Sequence, residues 1–153
     1  MKRLFLVITA AAFLAWIGWL AYTVSRAGTV PIVSRAQLTA ATDLIIAEVT
    51  LAPDGPPQTK VKVVRVISGE HAKPGAEIEI DNIRSAKVQK GKDRVNPEEG
   101  QEYFIPVVFA GGRYRVAGLP DSPGYKDQPN PFPVIYPWVE EVKVQLLSLG
   151  IGK

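Results

Sequence analysis

The side chains able to do chemistry in this chain are few and scattered. His71 is the sole imidazole, set beside Glu70 in the turn SGEHAKPG (68–75), and there is no cysteine. A histidine acting as base, nucleophile or metal ligand needs partners within bonding reach. Glu70 alone does not make a site, so a solvated turn histidine is expected. Glu77, Glu79 and Asp81 alternate along AEIEIDN (76–82) and share one face of an expected strand. Calcium asks for about six to eight oxygens, usually from a loop folded around the ion. Lys60, Lys62 and Arg65 lie on the neighbouring strand, so a charged outer face with cross-strand ion pairs is the expected arrangement. KVQKGKDR (87–94) is basic but runs on to Glu98 and Glu99, and reads as an exposed loop of mixed charge. Asp121 and Asp127 lie in a proline-rich segment that gives two carboxylates no fixed separation for glycoside hydrolysis. No phosphate-cradling or dinucleotide-binding glycine motif occurs. Catalytic residues, cofactors and metal ligands are therefore not expected, which points away from an enzyme.

The elements around these residues begin with an apolar segment. Residues 4–24 carry no charge and no proline. As a helix they span about 32 Å at about 1.5 Å per residue, enough for a hydrocarbon core of about 30 Å. Lys2 and Arg3 precede the run, which favours an N-terminus in the cytoplasm and the rest outside. Trp16, Trp19 and Tyr22 cluster in its second half, where aromatic side chains seat an interfacial end. Residues 1–27 are thus expected to form a single-pass transmembrane anchor. The alternative is a signal peptide cleaved after Ala27, leaving a secreted or periplasmic domain, although the run exceeds the usual signal-peptide core. The chain holds 18 Lys and Arg against 15 Asp and Glu, with Lys2, Arg3 and Arg26 supplying the excess. The remainder is charge-balanced, without the basic footprint of nucleic-acid binding. Lacking cysteine, it must be held by a packed core rather than disulfides.

Residues 28–33 read as a short linker and residues 34–153 as one domain. Ser34 and Gln37 have capping-box spacing, and Val33 with Leu38 has hydrophobic-staple spacing, which predicts a short helix ending near Thr42. Five strands are expected over 43–52, 59–68, 76–82, 102–110 and 113–118, from alternation and turn signals. Val63 and Val64 interrupt the alternation of the second strand and put Arg65 out of phase with the lysines, which predicts a β-bulge. Pro106 predicts an edge position or a bulge for the fourth strand. Residues 119–137 hold six prolines and read as an extended, irregular loop. Val139, Val142, Leu146 and Leu149 predict a C-terminal helix over 138–149, with Pro137 at its first position and Gly150 as its stop. The fold class is mainly β: a five-stranded barrel of the oligonucleotide/oligosaccharide-binding (OB) type, flanked by a short N-terminal helix and a C-terminal helix, and preceded by one transmembrane helix.

ATDLIIAEVT, VKVVRVISGEHAKPGAEIEI, EEGQEYFIPV and GGRYRV together resemble the netrin-like domain family, which includes the tissue inhibitors of metalloproteinases. Thr42–Asp43, Val64–Gly69 and Gly100–Tyr103 fill the places of that family's strand and turn signatures. The resemblance covers about residues 34–149 and implies a five-stranded barrel flanked by helices. The inhibitors of the family act through an N-terminal cysteine, which this chain lacks, so their mechanism does not carry over.

The long proline-rich loop holds Tyr125, Phe132 and Tyr136, and such loops are often functional. These three are the expected partner-contact residues. The expected role is a membrane-anchored, extracytoplasmic, non-enzymatic binding or assembly module with a protein partner and no nucleic acid. The alternatives are a barrel binding a small ligand or glycan and, by family analogy alone, an inhibitor of an envelope protease.

Overall fold

The computed structural model describes residues 2–27, 30–91, 93–118 and 132–152. Helix α1 (Lys2–Ala27) belongs to one compact unit and residues 31–153 to a second. Its described side chains, from Ile8 to Val24, are apolar on every side; Leu14, Trp16 and Trp19 are all exposed. Among the described residues no helix is long and apolar enough to cross a membrane.

The second unit is mainly β. Helix α2 (Arg35–Ala40) is followed by β1 (Asp43–Val49), β2 (Lys60–Ser68), β3 (Glu77–Glu79), β4 (Lys87–Lys90), β5 (Asp93–Val95), β6 (Gln101–Ala110), β7 (Arg113–Val116), β8 (Val134–Pro137) and helix α3 (Glu140–Ser148). The strands form one mixed sheet in the order β3-β2-β1-β6-β8-β4-β5, with β7 also paired to β6. Only β4 with β8 is parallel among these pairs. Ile80 and Tyr114 add an isolated parallel bridge, and the Asp81 N–H donates to the Tyr114 carbonyl at 3.0 Å.

All five expected strands are present, and three more lie where loops were expected. The basic segment 87–94 is not a loop: it supplies β4 and most of β5, joined by a turn at Gly91 with φ of 61°. Val88 anchors it by entering the core. The proline-rich segment ends in β8, a central strand buried at Val134, Ile135 and Tyr136. Pro137 therefore closes a strand rather than opening α3, whose N-cap is Val139.

The β2 bulge falls where the broken alternation puts it. Ile46 pairs with Arg65 and Ala47 with Val63, leaving Val64 as the extra residue; Ile67 is the extra residue of a second shift. Val61 and Val63 face the main core. In a regular strand of the same residues, without the bulge, Arg65 would share their phase and enter that core. With it, Arg65 is exposed.

Pro106 is neither at an edge nor at a bulge. It pairs in register with Leu44 in the middle of the sheet. Its carbonyl accepts from Ala117 N at 2.8 Å, on the side away from β1. A strand residue turns its N–H and C=O toward the same neighbour. The missing N–H thus falls where β6 changes partner, after the β8 pairing at Phe104 and before the β7 pairing at Val107.

Two cores result. One lies inside the curved sheet, built from side chains such as Ile45, Val63, Ile80 and Ile105. The other lies between the sheet and the helices, joining Leu44, Phe104 and Tyr136 to Val142 and Leu146 of α3. Helix α3 stops in a Schellman arrangement: Gly150 N donates to Leu147 O and Ile151 N to Leu146 O, both at 3.0 Å. Gly150 supplies the left-handed residue, with φ of 79°.

Candidate functional site

The densest polar constellation is centred on Asp43, the first residue of β1 and fully buried. Its Oδ1 accepts from the backbone N–H of His71 at 2.9 Å and of Ala72 at 3.1 Å. Its Oδ2 accepts from the Thr42 hydroxyl at 2.8 Å and faces His71 Nδ1 at 3.0 Å. A carboxylate has about four lone-pair sites, so all are occupied. The Thr42 hydroxyl in turn accepts from Phe109 N at 2.8 Å. One acidic side chain thereby ties the 69–72 turn to the start of β1 and, through Thr42, to the end of β6.

Burial pushes the Asp43 carboxyl up. The bonds from Ala72, Thr42 and His71 outweigh burial and hold it below its ordinary value. An ionised carboxylate only accepts, so His71 Nδ1 donates in this contact. The His71 side chain is 45% exposed. Its ring stacks on Phe109 at 4.6 Å, and Phe109 meets Tyr114 at 4.8 Å. The Tyr114 hydroxyl is raised above its usual range by partial burial and then by the Asp43 charge.

His71 is exposed in the turn, as expected, but it is not solitary: its N–H and its ring both meet Asp43. Its partner lies 28 residues upstream, beyond the reach of local reading. The available signal was the pairing of Thr42–Asp43 with Gly69, positions singled out as strand and turn signatures without a reason for their linkage. Close approach is that reason. The Asp43 side chain and Cα fill the space that a Cβ on Gly69 would occupy.

This arrangement is built to fix a turn. Metal binding there would need further ligands, and among the described residues no group of three or more His, Cys, Asp or Glu side chains is placed to hold an ion. Glu77 and Glu79 stand opposite Lys62 and Lys60 in the β2–β3 register, as a charged outer face requires. Asp81 approaches Arg113 at 3.9 Å.

Of the three expected contact residues two are described, and they lie in different surroundings. Tyr125 lies outside the described residues. Phe132 is 43% exposed, beneath Lys87 Nζ at 5.5 Å, and lines a cavity of about 390 Å³ with Asp54, Pro57 and Arg84. Tyr136 is not on a contact surface. It is 1% exposed in central strand β8, because its ring fills the second core against Phe104.

The Tyr136 hydroxyl organises a buried network. It donates to Gln37 Oε1 at 2.7 Å and accepts from Ser34 N at 3.1 Å. Gln37 Nε2 donates to the carbonyls of Ala117 and Val134, both at 2.8 Å. The expected capping box is half formed. Ser34 Oγ accepts from Gln37 N at 3.4 Å, while the Gln37 side chain turns into the core and Tyr136 satisfies the Ser34 N–H in its place. Burial raises the Tyr136 hydroxyl, against the pull of the Ser34 bond and the Arg94 charge, which keeps it a donor.

No family model, curated protein or solved structure matches the chain.

Proposed function

We propose that the protein is a membrane-anchored, extracytoplasmic binding or assembly module, with α1 as the anchor and the β unit as a rigid platform. The observation that carries the reading is the character of α1. Residues 4–24 are uncharged, and the described side chains of the helix present large apolar groups all round, Phe13, Leu14, Trp16 and Trp19 among them. A helix apolar on every face needs an apolar surrounding.

The platform reads as an OB-like barrel of netrin-like type. Supporting this, β7-β6-β1-β2-β3 are successive neighbours, and the Ile80–Tyr114 bridge links the two outermost strands in parallel. The non-enzymatic reading is supported by Asp43, whose acceptor capacity is spent on a turn rather than held for a substrate. The surface around Phe132, with Lys87 and Arg84, is the proposed contact for a protein partner.

A native gel of the full chain extracted in mild detergent tests the partner. A complex larger than the free chain, reduced to the free chain by Phe132→Ala with Arg84→Ala, is the expected result. A particle of one size in parent and variant would refute that contact.

The ring series His71–Phe109–Tyr114 favours a second reading, a small ligand or glycan stacked on the barrel surface. It predicts a ligand-dependent change in fluorescence that Tyr114→Leu removes.

A further inference from the structure

A groove of about 340 Å³ runs between the bulged end of β2 and α3, lined by Arg65, Ile67, Trp138, Lys143, Leu146 and Leu147, among others. That is within the range of small-molecule sites, at about 300–1,000 Å³. The two banks have different origins. The bulge at Val64 takes Arg65 out of the main core, and the second shift leaves Ile67 packed against the core beneath α3. Helix α3 supplies Leu146 at the floor, nearly fully buried, and Leu147, 52% exposed.

The polar groups lining this groove include one cation on each bank and no carboxylate. Lys143 Nζ lies over the Trp138 ring at 5.4 Å and meets Glu140 outside the groove at 3.3 Å. The Arg65 side chain makes no hydrogen bond or ion pair among the described residues. Backbone charge at the end of α3 is quenched by the Schellman bonds of Gly150 and Ile151.

We propose that this groove takes a single-chain amphiphile with an anionic head, its chain along Ile67, Trp138 and Leu147 and its head between Arg65 and Lys143. The apolar floor alone would accept any hydrocarbon. The opposed cations select one carrying negative charge, because such a head gains two charge-assisted contacts that a neutral head cannot make.

The test uses the full chain in phosphatidylcholine nanodiscs. Trp16→Phe and Trp19→Phe leave Trp138 as the only tryptophan. Bromoundecanoate and its uncharged alcohol analogue are titrated as quenchers. The expected result is saturable quenching of Trp138 by the carboxylate. The midpoint should be about tenfold weaker for the alcohol, and about tenfold weaker for the carboxylate in the Arg65→Gln/Lys143→Gln variant. Equal quenching by carboxylate and alcohol, or a glutamine variant that quenches like the parent, would overturn the proposal. Absence of saturable quenching would also overturn it, and a dimeric particle in that case would assign the groove to a second copy.

Discussion

Gly69 leaves room for Asp43. A Cβ at position 69 would stand 2.7 Å from the Asp43 Cα, and Gly69 also has a φ of 119°, which L side chains rarely adopt. The turn that delivers the His71 and Ala72 N–H groups to the carboxylate therefore depends on the absence of a side chain.

Gly69→Ala should cost about 3 kcal/mol or more, combining the left-handed strain with a backbone clash that no rotamer relieves. Urea unfolding of the full chain measures it. A loss under about 1 kcal/mol would mean that the turn can move away from Asp43 without penalty.

Asp43 also sets an acid sensitivity. Its carboxyl is held below the ordinary 3.8, so the folded state binds that proton less readily than the unfolded chain. The stabilisation is fully present above the unfolded value, near pH 4, and is lost as pH falls through the lower folded value. Asp43→Asn should lower stability at pH 7 by about 1–3 kcal/mol. It should also flatten the decline below about pH 4, read as unfolding midpoints of parent and variant. Parallel pH profiles for the two proteins would contradict the assignment.

Gln37 and Tyr136 should behave as one unit. Tyr136→Phe leaves Gln37 Oε1 and the Ser34 N–H without their partner and should cost about 1–3 kcal/mol. Gln37→Leu strands the Ala117 and Val134 carbonyls and should cost about as much or more. The double variant should cost less than the two losses added, with a coupling of about 0.5–3 kcal/mol. Strict additivity would show that the network is not cooperative.

The β2 bulge predicts an asymmetry between substitution and deletion. Val64 is 40% exposed, so Val64→Ser should change stability by about 0.5 kcal/mol or less. Deleting Val64 removes the bulge and restores simple alternation, with Arg65 on the outer face beside Lys62 and Val66 in phase with Val61 and Val63. The deletion should therefore still unfold cooperatively, at a cost of about 1–3 kcal/mol for the lost bend and the repaired register. Loss of cooperative unfolding in the deletion variant would show that the sheet cannot form without the bulge.

The features legible in the sequence were those set by local pattern. The five alternating strand segments, the bulge at Val64, the cap at Ser34 and the stop at Gly150 are each encoded within a few residues. Strands β4, β5 and β8 were not, although β3 and β7 are as short, because charged residues or prolines mask their pattern and each is defined by its pairing partners. Val134, Ile135 and Tyr136 form a strand by pairing with β4 and β6, which the surrounding prolines conceal. Asp43 with His71, and Gln37 with Tyr136, meet across 28 and 99 residues. No spacing rule reaches that far, so His71 looked solitary and Tyr136 looked like a surface aromatic. Pro106 misled for a related reason: the donor it lacks points to a gap between two partner strands, which exists only in the assembled sheet.

The central claim is that α1 anchors the β unit to a membrane. The most direct measurement is alkaline carbonate washing of membranes from cells making the full chain, with the N-terminus of the retained band sequenced. The account predicts a chain that stays in the washed membrane pellet and begins at Met1 or Lys2. A chain released into the supernatant, or one beginning at Gly28, would contradict it.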